Sequence, residues 1–595
     1  MALPGNAQDL IRSLDTGRAG RLVALAAGLC VLLLLSLLLA WKQFHGPATE
    51  DTLLQADLGR QLARGEGFTT QVNLPQSAAF LQSRGVRFDP ARPYPELHHA
   101  PLYPLAIAGG LRLFPSSVRE GWLSSIQPPP DGYGGDYYLL ALNLLLLWLC
   151  AFLAWWLGRR LFSPMAGLVA GLALLLSVGA WEHVLAVDGA LLVAALVLGA
   201  FHCVHSVETD LGVGRAPGLL PVAGLGLLSG LLFLADYKAG FAGLVFLGWL
   251  ALRRGLGLRS AAFWIALGAC LAPCLPWLLR NLMLTGSPVG LAWQSLALRV
   301  GDTTADPGTW LTSLSAGELP LSANKLGNKL LTSLQEALRG GLWTAGAPLL
   351  IAFFIAGCLY QFRDVVVNRC RWLLLAVLGL WLLGHALCGS GLSGAAPEFC
   401  LSPLLMILGA GFFEVLLGSS AAVAARPRLA AALLLAVGSL PLLHEALEPR
   451  RIHFHYPPYF PSLFQGVHQE LVQRSPGRLH GLMSDVPAGV AWYGDQRVWA
   501  QPAKLRDFYL ICAEQPIGVL ILTPHTLDRP FFTELAAKPA LPQSLLPGDL
   551  RRGEWGTVYA SFLSGRLPAE FPLRSVQKLA DNLVILSDPS LPPRR

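Results

Sequence analysis

Apolar residues in this chain fall into runs of about twenty, long enough to cross the hydrocarbon of a bilayer. They show neither the two-residue alternation of half-buried strands nor the single stripe of a soluble helix. A segment surrounded by lipid must satisfy its own backbone polar groups, so the runs are helices. The pattern predicts eleven spans, near residues 21–41, 137–157, 164–186, 189–206, 218–235, 239–252, 261–280, 342–361, 372–389, 398–417 and 427–445. The first run, Arg21 to Trp41, is longer than a signal-peptide core and has no small-residue cleavage site, so it reads as a retained span. The predicted fold class is a polytopic α-helical membrane protein.

Charge orients the spans. Arg12, Arg18, Arg159, Arg160, Arg253, Arg254, Arg259, Arg363, Arg369, Arg371, Arg426 and Arg428 all fall on one side if the N-terminus is cytoplasmic. An odd number of spans then places three long polar segments outside: Lys42 to Asp136, Asn281 to about Gly341, and the tail from Glu448. The expected organisation is a transmembrane domain over 1–447, with a first outer loop at 42–136 carrying surface helices, and an extracytoplasmic domain over 448–595. In that tail, short apolar runs (Gly518 to Leu522, Asn582 to Leu586) alternate with Pro and Gly breaks, which predicts a small mixed α/β domain. The expected location is the inner (plasma) membrane, multi-pass.

Composition narrows the partners. The chain is 53% hydrophobic and 14% charged, with a formal net charge of +7. Its basic residues flank hydrophobic runs instead of forming a stripe, which argues against a nucleic-acid partner. The ten cysteines show no paired CxxC spacing. Cys388 and Cys400 flank a short loop on the expected oxidising side and form a candidate bridge.

The first outer loop is the most informative segment. Thr49, Glu50 and Asp51 precede Leu54, Leu58, Gln61 and Leu62 at helical spacing, which predicts a capped amphipathic helix on the membrane surface ending at Arg64, Gly65 and Gly67. Further on, Glu96, Leu97, His98, His99, Ala100, Pro101, Leu102, Tyr103 and Pro104 lead into an apolar run, Leu105 to Phe114, that is too short to span and reads as re-entrant or interfacial.

Acids at the outer ends of spans are costly and point to chemistry; Asp51, Asp188 and Asp236 qualify. Such a layout suits attack of a hydroxyl or amine on a sugar carried by a lipid phosphate, with an acid as general base and cations stabilising the leaving phosphate. The available phosphate partners are His98, His99, Lys238 and Arg280, of which Arg280 offers bidentate geometry and permanent charge. Each has a plainer reading: Asp188 as a solvated loop acid, Lys238 and Arg280 as snorkelling span ends. His98, His99 and Glu96 also raise the question of a divalent metal, but adjacent histidines on a strand diverge, so no metal is expected.

Taken in order, these segments resemble a known family. They are Glu50 and Asp51 before a helix ending Leu62, Ala63, Arg64, Gly65; His99 to Pro104; Leu157 to Phe162; Asp188; Gly230 to Leu234 before Asp236; and Pro276 to Asn281 followed by Gly286, Ser287 and Pro288. The chain resembles the membrane glycosyltransferases of the GT-C fold, specifically the protein O-mannosyltransferase and aminoarabinose transferase group. The tail adds Asp485, Val486 and Pro487 with Ala491 to Arg497, read as a core strand and turn.

This resemblance implies an inverting transferase that moves a sugar from a polyprenyl-phosphate donor to an extracytoplasmic protein, lipid or glycan. Asp51 would be the base, with Glu50 beside it and Asp188 as a second acid lining the site; His98, His99, Tyr103, Lys238 and Arg280 would bind substrate. The implied partners are membrane lipid, the lipid-linked sugar and the acceptor. Relatives often carry Lys-Pro-Pro or Glu-Lys-Pro-Pro where this chain has His98 to Pro101, and a basic residue near the position of Asp236, where here the basic residue is Lys238. Two other readings stand beside the enzyme. A lipid-linked sugar transporter or flippase predicts midplane charges and repeated halves, and the sequence shows neither. A non-catalytic envelope assembly protein would have no need to keep both Asp51 and Asp188.

Overall fold

The computed structural model describes residues 18–86, 89, 92–127, 132–253, 256–296, 311–315, 323–344, 347–388, 396–419, 426–447, 456–474, 481–527, 531, 550–568, 571–579 and 583–588. Arg12 and Arg254 of the charge pattern, and Asn582 of the tail run, lie outside the described residues.

In chain order the helices are α1 (Arg18–Gln43), α2 (Glu50–Arg64), α3 (Pro75–Ser83), α4 (Leu102–Arg112), α5 (Ser116–Ser124), α6 (Gly134–Leu161), α7 (Pro164–Leu175), α8 (Val178–Ala186), α9 (Ala190–Gly212), α10 (Leu219–Ala235), α11 (Gly240–Leu252) and α12 (Ala261–Thr285). They continue with α13 (Ala323–Thr344), α14 (Pro348–Leu359), α15 (Val365–Cys388), α16 (Pro397–Ser419), α17 (Pro427–Leu447), α18 (Pro461–Arg474), α19 (Pro487–Gly494), α20 (Leu505–Glu514) and α21 (Leu550–Leu563).

Seven of these helices, α1, α6, α9, α12, α15, α16 and α17, are long and apolar enough to cross a bilayer, and α7 with α8, bent by 48°, make an eighth as a broken span. Leu29, Leu34 and Leu37 of α1 and Leu429, Leu433 and Leu440 of α17 are exposed, the surface of a protein whose solvent there is lipid. The predicted spans at 218–235, 239–252 and 342–361 correspond to shorter apolar helices, α10, α11 and α14. The last of these differs from expectation: the run breaks between α13 and α14, where Pro348 opens a new helix. Much of the expected outer loop before it is the helix α13, whose Lys329 Nζ donates to the carbonyl of Ser295 at 2.6 Å.

Small residues set the closest helix contacts. Gly226 and Gly230 on α10 face Ala266 and Cys270 on α12 so closely that a Cβ on either glycine would meet backbone. At one end of the bundle Glu208 of α9 takes Arg253 at 2.8 Å and Arg369 at 2.7 Å, joining residues from three helix ends predicted to share a side. Asp188, Tyr237 and Cys388 stand at the other ends of α9, α11 and α15. The Glu208 cluster and Asp188 thus occupy opposite ends of the bundle. Cys388 and Cys400 do not bridge; both are free thiols, and Cys400 Sγ points at the carbonyl of Ala190.

The strands are β1 (Thr69–Thr70), β2 (Val72–Asn73), β3 (Tyr94–Pro95), β4 (Ile126–Gln127), β5 (Gly132–Tyr133), β6 (Gly481–Ser484), β7 (Val498–Ala500), β8 (Ile517–Leu522), β9 (Ser575–Lys578) and β10 (Val584–Ser587). The main sheet has the order β2-β7-β6-β8-β10-β9. β2, β7, β6 and β8 run parallel, and β10 pairs antiparallel with both β8 and β9. β6 and β8 are buried along their whole length, as expected of central parallel strands covered on both faces. The edge strand β2 comes from the first outer loop, in register Val72 with Val498. The segment from Pro487 departs from the strand reading: Pro487 starts helix α19, Asp495 turns the chain in a left-handed conformation (φ 48°), and only then does β7 begin.

The first-loop helix forms as predicted. Thr49 caps α2, accepting from the Thr52 amide at 3.3 Å, and Gly65 at φ 91° ends it. It is not a surface helix, however. α2 is buried between α4 and α19, with Leu53, Ala56, Leu58 and Arg60 all inaccessible. The reason is polar as well as apolar: Arg60 donates to Asp57 (2.8 Å) and to the carbonyls of Ala491 (2.8 Å) and Trp492 (2.9 Å), sewing the helix to the tail.

Candidate active site

Asp51 lies in the first turn of α2, where the helix dipole favours a carboxylate. Its side chain keeps one-third of its surface (33%) open, although most of α2 is buried. Oδ1 lies 2.7 Å from His99 Nε2, and Oδ2 accepts from Gln55 Nε2, one turn on, at 2.7 Å. Its neighbour Glu50 faces the tail, accepting from the Tyr456 hydroxyl at 3.3 Å and the Ala488 amide at 3.5 Å.

Behind His99 sits a second carboxylate. Glu96 Oε1 lies 2.8 Å from His99 Nδ1 and accepts the amides of His98 (2.8 Å) and His99 (3.2 Å). Burial alone would raise the Glu96 pKa, but the positive His99 ring and these hydrogen bonds hold it at about 2. Burial would likewise lower His99, yet the charges of Glu96 and Asp51 and their hydrogen bonds push it up to about 10. His98 points elsewhere, with Nε2 3.1 Å from Ser77 Oγ, and burial lowers it to about 4, so it is neutral at physiological pH. The adjacent histidines diverge. No group of three His, Cys, Asp or Glu side chains suited to a metal occurs among the described residues.

Arg280, a predicted substrate contact, braces this loop, and Tyr237 joins it. Arg280 donates to the carbonyls of Phe68 (3.1 Å) and Glu96 (2.9 Å) and to Asn281 Oδ1 (3.0 Å), and lies over the Trp277 ring at 4.7 Å. Tyr237 donates its hydroxyl to the carbonyl of His99 at 3.3 Å and accepts from Trp277 Nε1 at 2.8 Å. The Trp277-Arg280-Asn281 stretch is therefore a bracket for the segment carrying Glu96 and His99. Lys238 is buried in the short 3-10 turn after Asp236, whose Oδ1 caps that turn by accepting the Lys238 amide at 2.9 Å.

Tyr103, one turn beyond His99, reaches the second acid. Its hydroxyl donates to the carbonyl of Val187 at 2.6 Å and accepts from Asn143 at 2.9 Å. Val187 has φ 51°, a left-handed conformation that is costly for a β-branched residue and persists only where surroundings enforce it. Gly189 leaves room for the Tyr103 ring. Between them Asp188 Oδ1 accepts the Ala190 amide at 3.0 Å, and Oδ2 lies 2.7 Å from His183 Nδ1. Residues 99–103 thus link the two acids: His99 holds Asp51, and Tyr103 holds the turn that presents Asp188.

The sequence reading did not give Gln55, Asn143, Tyr237 or His183 a role in the site. Glu96 entered it only as a possible metal partner. The available signals were spacing: Gln55 four residues after Asp51 on one helix, and Glu96 three before His99.

No protein-family model and no curated protein matches the sequence. Among solved structures, the oligosaccharyltransferase of Archaeoglobus fulgidus in its apo form matches at 12% identity over 88% of this chain and 72% of that one, with a TM-score of 0.44. ArnT from Cupriavidus metallidurans bound to undecaprenyl phosphate matches at 13% identity over 97% of this chain and 100% of that one, with a TM-score of 0.36. The arabinofuranosyltransferase AftD from Mycobacteria matches at 15% identity over 84% of this chain and 35% of that one, with a TM-score of 0.35. At these scores the likeness carries nothing about activity.

Proposed function

We propose that this protein is a membrane glycosyltransferase that moves a sugar from a polyprenyl-phosphate donor to an extracytoplasmic acceptor with inversion, Asp51 acting as general base. The observation that carries this reading is the Asp51 carboxylate, open to solvent at the head of a buried helix and held at both oxygens by His99 and Gln55. Rigid support of a partly open acid is what proton abstraction in a transfer reaction requires. The motif resemblance supplies the reaction class.

In the proposed step, an acceptor hydroxyl or amine attacks the anomeric carbon from the face opposite the phosphate. The new bond to carbon forms as the carbon–oxygen bond to phosphate breaks, and that electron pair leaves with the phosphate. The acceptor's proton passes to Asp51 and then to water. Asp188, anchored by His183 and the amide of Ala190, provides a second fixed carboxylate to orient hydroxyls. The cations available to the departing phosphate in this reading are Lys238, in the turn after Asp236, and Arg280, beside the loop that carries Glu96 and His99.

The test is transfer from a panel of labelled polyprenyl-phosphate sugars by the purified full-length protein, wild type against Asp51→Asn. Transfer by the wild type and its loss in a folded Asp51→Asn protein is the expected result. Undiminished transfer by Asp51→Asn would remove the assignment of the base.

A further inference from the structure

His99 is bonded at both ring nitrogens by carboxylate oxygens, Asp51 Oδ1 at 2.7 Å and Glu96 Oε1 at 2.8 Å. A neutral imidazole has one N–H, so one of these short contacts would set a lone pair against a carboxylate. A proton on Asp51 would satisfy the ring but leave Asp51 unable to act as base, and a proton on Glu96 does not help, because Oε1 already accepts two backbone amides. Only an imidazolium donates both ways. The ring and Glu96 are both almost fully buried, with side chains 5% and 2% exposed, so water does not substitute for either bond.

We propose that Glu96 is a positioning residue of the Asp51 site: by bonding His99 Nδ1 it keeps the ring a donor at both nitrogens, and the Nε2 bond fixes where Asp51 Oδ1 points. This deepens the reading of Asp51 as general base and rests on it. The unit of two carboxylates and one cation also carries one net negative charge where an unbridged pair of acids would carry two, which eases approach of an anionic lipid phosphate.

The groups facing His99 are Asp51 and Glu96 at its ring, His98 beside it in the chain, Tyr237 at its carbonyl, and Arg280 at the carbonyl of Glu96. Of these, Glu96 is the charge that stays with the ring when Asp51 takes a proton. Removing it leaves Asp51 as the ring's counter-charge against burial, and the His99 pKa falls back toward the ordinary histidine range.

Two readouts test this on the full-length protein in detergent. First, nitrogen-15 NMR of labelled histidine at about pH 8, with His99→Gln to identify the resonance, shows an imidazolium at His99; a neutral ring there overturns the proposal with no reference to transfer. Second, Glu96→Gln keeps shape and loses charge, so its transfer rate falls about ten-fold between pH 6 and pH 9 where the wild type changes less than about two-fold. His99→Gln, which donates without titrating, is slower but has no such alkaline fall. A Glu96→Gln profile that superimposes on the wild type overturns the proposal, whereas transfer retained by Asp51→Asn removes the underlying base assignment instead.

Discussion

Arg64 and Asp495, 431 residues apart in the chain, meet in a two-armed ion pair with both N–O distances at 2.8 Å. The same Asp495 lies 3.5 Å from Arg60, and Glu120 takes the other side of Arg64. Burial would raise the Asp495 carboxyl, but the two guanidiniums hold it well below the usual carboxylate range. The end of the acid-bearing helix is therefore clamped to the tail, and the tail's placement bears on the site.

Asp57→Ala is expected to be among the most damaging single changes. It leaves the fully buried Arg60 without its nearest counter-charge, at a cost of about 3–5 kcal/mol for breaking a buried pair. Thermal unfolding in detergent should show a large drop in midpoint. An unchanged midpoint would mean that Arg60 is not held as described.

Tyr103→Phe removes the hydroxyl that joins Asn143 to the carbonyl of Val187. An unsatisfied buried carbonyl costs about 1–3 kcal/mol. Because Val187 is held in a left-handed conformation beside Asp188, the variant should lose transfer rate in excess of its loss of stability. Equal kcat in Tyr103→Phe and wild type would show that the turn keeps its shape without the tyrosine.

The Glu96–His99 pair makes stability depend on pH in two directions. The Glu96 pKa is lowered to about 2, so its contribution is present above its ordinary value near 4.5 and disappears as pH falls through 2. The His99 pKa is raised to about 10, so its contribution is complete below about 6.5 and fades as pH rises through 10. The wild-type unfolding midpoint should thus decline from pH 6.5 towards 10, and the decline should be smaller in His99→Gln. Parallel slopes for the two proteins would contradict the pairing.

Arg280→Lys keeps the charge and loses the planar fork that spans the carbonyls of Phe68 and Glu96. If the guanidinium braces the loop, the lysine variant should lower kcat by about ten-fold with little change in KM for the lipid donor. A rise in KM alone would instead mark Arg280 as a donor contact.

The sequence made the membrane-spanning character legible because long apolar runs have one physical solution in lipid, and Thr49 and Gly65 announced the ends of α2 through cap chemistry. Asp51 and Asp188 stand out in the sequence for a related reason, as acids where acids are expensive. What stayed hidden depended on distant partners. Arg280 reads as a span-end cation until the backbone carbonyls of Phe68 and Glu96 come to it. Glu96 and His99 look like a possible metal pair until the fold brings Asp51 to the far side of the ring. The segment after Pro487 has strand-forming residues, and packing of Trp492 and Tyr493 onto Asp136 makes it a helix instead.

The strand β2 belongs to the first outer loop, yet its hydrogen-bonding neighbour β7 is supplied by the tail. A ribosome releases these two pieces far apart in time, and nearly every membrane crossing is made in between. The helix bearing Asp51 is thus among the first segments synthesised, while the strand that completes its setting is among the last. A truncated chain has Asp51 with His99 and Gln55 but lacks the tail strand and the Asp495 clamp that fix their helix in place.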